Sequence, residues 1–234
     1  MKIGLLFVCL AMGLNLSAND NPCEEKGYCE ITSHKVEEIK NFDDSPLSRV
    51  YTQLEVSEPE EVGKIVKATE TLIALGKKVW TIVENGRPVT NLDFEPSISV
   101  LPNSAKEDPQ STFYTMENWD IPITKAYRVT YTNGLGMDVV VFEYGIVYQF
   151  GGELDGKGKY LTAVDIVPIK VDVSWGYSLD ASSTLVGITN VGSKKSPIAS
   201  ARLKLNYTVS TVLKTSKNSV GFYVQGDGKY KKTH

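Results

Sequence analysis

Residues able to carry chemistry are few in this chain. It has two histidines, His34 and His234, and three cysteines, Cys9, Cys23 and Cys29. A serine or cysteine nucleophile with a histidine base would have to recruit His34, and no Gly-x-Ser-x-Gly elbow is present. A histidine-rich zinc site cannot be assembled when one of two histidines is the last residue of the sequence. This inventory argues against the common hydrolase designs, and it assigns no catalytic residue, metal ligand or cofactor.

Carboxylates and tryptophans remain. Glu143 lies on a strand-like stretch, and Glu153 and Asp155 follow in the glycine-rich run 151–159, GGELDGKGK. Two acids facing each other across a cleft would suit glycoside hydrolysis. The same run lacks the alternating Asp order of a calcium loop, and it does not open a helix as a phosphate cradle does. Turn formation is its simplest reading. Trp80, Trp119 and Trp175 could supply a stacking platform. Trp175 alternates with Val171 and Val173 and is expected in the core, whereas Trp119 sits at a loop-to-strand junction and is expected to be exposed. Trp119, Glu153 and Asp155 are therefore the candidate ligand-binding residues.

Cys23 and Cys29 have a different role. Residues 3–16 (IGLLFVCLAMGLNL) form an apolar run behind Lys2, and Ser17-Ala18 offers a small residue for cleavage. This is the pattern of a signal peptide over residues 1–18. The run is shorter than the ~20 residues a spanning helix needs, and no transmembrane segment is expected after its removal. Cys9 leaves with it. The remaining pair, in an oxidising periplasmic or extracellular compartment, is expected to close one small disulfide loop.

The formal charge of the 234 residues is −3, and no basic block stands out apart from the stretch 229–232. Nucleic acid is not an expected partner.

The elements that must position these residues are mainly strands. Stretch 124–150 reads as a long hairpin, with Tyr127, Val129 and Tyr131 alternating along one arm and Phe142, Tyr144, Ile146 and Tyr148 along the other. Asn133-Gly134-Leu135-Gly136 makes its turn. Further alternation predicts strands at 160–168, 170–179, 184–189, 201–213 and 220–224, and Asn85-Gly86 predicts a hairpin over 78–89. Stretch 104–118 reads as a loop. Residues 58–75 carry Val62, Ile65, Val66, Thr69, Leu72 and Ile73 at helical spacing behind a Ser57 cap, and predict an amphipathic helix.

The expected fold is mainly β: an antiparallel β-sandwich of about eight or nine strands with that helix packed on it. Residues 19–56 would be an N-terminal extension, 57–228 a single β-rich domain and 229–234 a polar tail. The expected function is that of an exported, non-enzymatic binding or interaction module with a protein or carbohydrate ligand. A carboxylate-based carbohydrate hydrolase is the alternative, and a secreted membrane-acting protein using the amphipathic helix is the third reading.

Overall fold

The structure is a computed structural model that describes residues 22–40, 42, 64–76 and 90–233. The signal segment and the 78–89 hairpin lie outside the described residues. Among the described residues twelve strands form two sheets. The first has seven strands: β1 (Ile31–Glu38), β6 (Ile123–Asn133), β7 (Asp138–Leu154), β8 (Lys157–Val173), β5 (Ile98–Pro102), β3 (Leu72–Gly76) and β2 (Lys64–Ala68), in that order. The second has five: β12 (Tyr230–Thr233), β11 (Thr215–Gln225), β10 (Ala199–Ser210), β9 (Ser178–Asn190) and β4 (Thr90–Asp93). The β4–β9 pair is parallel, so the second sheet is not wholly antiparallel.

Alternation explains the core. Tyr127, Val129 and Tyr131 of β6 and Phe142, Tyr144 and Ile146 of β7 are buried, and they join Leu205, Tyr207 and Val209 of β10 and Phe222 and Val224 of β11 in one apolar cluster. Rings from the two sheets meet: Tyr127 and Tyr144 each lie 6.0 Å from Phe222, and Phe142 lies 6.4 Å from Tyr207. Several tyrosine hydroxyls inside this core find partners. Tyr127 Oη and Tyr230 Oη are 2.8 Å apart, and Asn218 Nδ2 donates to Tyr131 Oη at 2.7 Å. The hydroxyl of Tyr144 has none among the described residues.

Several expectations are corrected. The helix expected over 58–75 is not present in its described part; Lys64–Ala68 and Leu72–Gly76 are strands β2 and β3, antiparallel to each other. All five residues of β3 (LIALG) are buried, because β3 lies inside the sheet between β2 and β5. A short continuous apolar run of this kind matches a buried strand as well as a helix stripe. Thr69 turns the chain: its backbone N–H donates to the carbonyl of Leu72, and its Oγ1 accepts from the N–H of Leu72 at 3.1 Å. Ile65 and Val66, expected to be buried, stand exposed on the edge strand.

The stretch 104–118 is not a structureless loop. It holds a 3-10 turn (Asn103–Lys106) and the helix α1 (Pro109–Thr115). Asp108 caps α1 by accepting from the N–H of Ser111 at 3.0 Å, and Pro109 occupies the first turn, where its missing N–H costs nothing. Part of the expected extension is β1, paired with β6 along Val36↔Val129 and Glu38↔Tyr127. Part of the expected tail is β12, anchored because Tyr230 points into the core and the Lys232 ammonium lies 4.6 Å from the centre of the Tyr127 ring.

Two corrections bear on the candidate site. The glycine-rich run is no loop: β7 continues to Leu154 and β8 starts at Lys157. Only Asp155 (φ 52°) and Gly156 (φ 66°) turn between them, as the left-handed pair of a two-residue hairpin. The strand expected over 170–179 ends at Val173; Ser174–Tyr177 is a tight turn, with Gly176 at φ 85° and the N–H of Tyr177 donating to the carbonyl of Ser174. Trp175 is therefore on a turn.

Candidate ligand-binding groove

The candidate residues read from the sequence are only partly brought together. The segment Glu117–Asp120 runs along the end of β7, exchanging two backbone hydrogen bonds between Glu117 and Glu153. Trp119 lies flat over Gly152: a Cβ there would stand 2.4 Å from its ring. Trp119 is thus half-buried against the core, not a free platform. Glu153 is occupied. Its Oε1 accepts from Lys159 Nζ at 2.6 Å and its Oε2 from Asn118 Nδ2 at 2.9 Å. The hydrogen bonds from Lys159 and Asn118 hold its carboxyl below the usual range, the opposite of what a general acid needs. Asp155 forms the hairpin turn beside it, and the N–H of Gly156 donates to Glu117 Oε1 at 3.1 Å. This assembly is a structural clip. Glu143 lies elsewhere, on the outer side of the seven-stranded sheet, paired with Arg128 at 2.7 Å.

A groove that sequence reasoning missed lies at the far end of β7. Its volume is about 380 Å³, and it is lined by Tyr28, Asp138, Val139, Val141, Asp172, Val173, Ser174 and Trp175. Val139 and Val173 are buried, while Trp175 is 70% exposed. The carboxylates are only partly engaged. Asp138 Oδ1 accepts from Thr132 Oγ1 at 3.1 Å, and Asp172 Oδ2 pairs with Lys170 Nζ at 2.8 Å. One oxygen of each carboxylate has no hydrogen bond or ion pair of this kind among the described residues.

What holds the Trp175 turn is the loop closed by the Cys23–Cys29 disulfide, whose Cα atoms are 5.1 Å apart. Gly176 faces this bridge: a Cβ there would meet Cys23 Sγ at 3.4 Å and Cys29 Sγ at 3.5 Å. Tyr28 Oη donates to the carbonyl of Trp175, and Tyr177 Oη donates back to the carbonyl of Tyr28. Asn133 Nδ2 donates to that same carbonyl at 3.1 Å. The disulfide agrees with the pairing expected from the sequence and is consistent with an extracellular or periplasmic location. A usable signal for the groove was the Trp175-Gly176 pair, since glycine one residue after an exposed aromatic marks a turn as readily as a strand.

Comparison with protein-family models, curated proteins and solved structures returns no match. Among the described residues no helix is long and apolar enough to cross a membrane.

Proposed function

We propose that this protein is an exported, non-enzymatic binding module of the cell envelope or extracellular space, and that the groove beside Trp175 takes a carbohydrate. In this reading the two sheets pack face to face as a β-sandwich, with the ligand seat on turns at one end. The observation that carries the proposal is Trp175: a large apolar ring left 70% exposed, yet held by a disulfide-closed loop. A preorganised indole offers its face to the C–H side of a sugar ring at little ordering cost. Asp138, Asp172 and Ser174 at its side can accept hydroxyl hydrogens.

The test is a glycan array, followed by titration of tryptophan fluorescence with any saccharide retained. Binding that weakens at least tenfold in Trp175→Ala and severalfold in Asp138→Asn supports the seat, since each 1.4 kcal/mol is about tenfold in affinity. An array without a single retained glycan, or titrations indifferent to both changes, overturns it. Release of reducing ends from a retained glycan would remove the non-enzymatic part of the reading.

A further inference from the structure

Eleven large apolar side chains stand exposed among the described residues, and five of them gather at one end of the molecule. Leu135 (43% exposed) and Met137 (44%) are on the β6–β7 turn, Trp175 on the β8–β9 turn, and Val212 (72%) and Leu213 (66%) on the β10–β11 turn. The disulfide loop joins all three turns. Gly134 N–H donates to the Gly27 carbonyl at 2.9 Å, Tyr28 Oη to the Trp175 carbonyl at 3.0 Å, and Thr211 Oγ1 to the Cys29 carbonyl at 3.1 Å. Three apolar tips therefore surround one hub.

The backbone of these tips is suited to leaving water. Asn133 Oδ1 accepts from the N–H groups of Leu135 and Met137, both at 3.0 Å, and the Asn133 carbonyl accepts from Gly136. Thr211 Oγ1 accepts from the N–H groups of Leu213 and Lys214, and Thr211 N–H donates to the Lys214 carbonyl. Unpaired backbone donors are what makes a turn costly to place in lipid, and the N–H groups of Leu135, Gly136, Met137, Leu213 and Lys214 are paired inside their turns.

Chain length points the same way. The apolar run 3–16 ends six residues before Pro22, and Pro22 lies against the Trp175 turn, its Cγ 3.3 Å from where a Gly176 Cβ would stand. Six residues reach at most ~20 Å. Before cleavage, with that run in a bilayer, this end of the fold is delivered close to the bilayer surface. The nearby charges do not favour anionic lipid: Glu24, Glu25, Glu30 and Asp138 outnumber Lys26 and Lys214.

We propose that this end docks on a lipid bilayer surface, with Leu135, Met137, Val212 and Leu213 entering the acyl boundary and Trp175 at the headgroup level. The docking rests on the aliphatic tips and stands whether or not the groove binds sugar.

Flotation of the protein with phosphatidylcholine vesicles tests it. The protein is expected to float equally at low and high salt, because apolar insertion is not screened. Val212→Ser with Leu213→Ser, or Leu135→Ser with Met137→Ser, is expected to lower partition about tenfold with circular dichroism unchanged. Val212→Ser alone, at the most exposed of these positions, keeps the fold and is expected to lower it severalfold. Failure of the unaltered protein to float overturns the proposal. So do flotation only on anionic vesicles, flotation of the variants at the original level, and self-association abolished by the Val212 change without vesicle binding; that last result would assign the tips to a second copy of the chain.

Discussion

The hydroxyl of Tyr28 donates to the backbone carbonyl of Trp175 at 3.0 Å, joining positions 147 residues apart. The carbonyl of Tyr28 in turn receives Tyr177 Oη and Asn133 Nδ2. One residue of a small disulfide loop thus fixes the turn that displays the exposed indole. Cys23→Ala with Cys29→Ala is expected to lower unfolding stability by ~2 kcal/mol, the value for a very short closed loop. It should also loosen the Trp175 turn. Denaturant melts and acrylamide quenching check both; unchanged quenching would mean that hydrogen bonds alone hold the turn.

Hairpin β2–β3 separates strand packing from a helix stripe. Ile73 is fully buried and Ile65 is 45% exposed. Ile73→Ala is expected to cost ~2–5 kcal/mol and Ile65→Ala below about 1 kcal/mol, measured as shifts in urea midpoint at constant slope. Equal effects at both positions would contradict the strand assignment.

Gly152 is a close-approach site. A methyl group there meets the Trp119 ring at 2.4 Å, and the ring is wedged between the strand and the core. Gly152→Ala is expected to destabilise by ~1–3 kcal/mol and to shift Trp emission as Trp119 is pushed toward water. A melting temperature equal to that of the parent would show that Trp119 moves aside freely.

Tyr144 carries a buried hydroxyl without a partner among the described residues, and burial pushes its ionisation far above the ordinary range. Tyr144→Phe removes the unpaired group and keeps the ring contacts with Tyr127 and Phe142. It is expected to raise stability by ~1 kcal/mol. A loss of stability would reveal a bound water at that oxygen.

Asp165 is buried on β8, opposite Val147 and two residues from Val167, and burial pushes its carboxyl up to about 8. The folded chain keeps a proton that the unfolded chain releases above about pH 4. Its contribution is therefore most favourable below pH 4 and is lost as the pH rises toward 8, with a slope approaching ~1.4 kcal/mol per pH unit. Asp165→Asn should flatten this part of the profile and raise stability at pH 8. Parallel pH–stability curves for the two proteins would exclude an effect of Asp165.

Strand alternation was readable because it is local. The period of two in Tyr127–Tyr131 and Phe142–Tyr148 follows from one face meeting a core, whatever the partner sheet. The turn at Asn133-Gly134 and the pairing of Cys23 with Cys29 were legible for the same reason, since each depends on residues a few positions apart. The strand identity of Leu72–Gly76 was not legible. Its apolar run is compatible with either period, and only placement between β2 and β5 buries all five side chains. The groove was hidden more deeply. Trp175 alternates like a core residue, and its exposure depends on Gly176 turning against a disulfide loop nearly 150 residues earlier in the chain. Glu153 looked available because its partners, Lys159 and Asn118, are set by the sheet and by the Glu117–Asp120 segment lying along it. Local periodicity determined the strands whose apolar residues alternate, such as Tyr127–Tyr131; placement in the sheet decided Leu72–Gly76, and long-range hydrogen bonding decided which aromatic faces water.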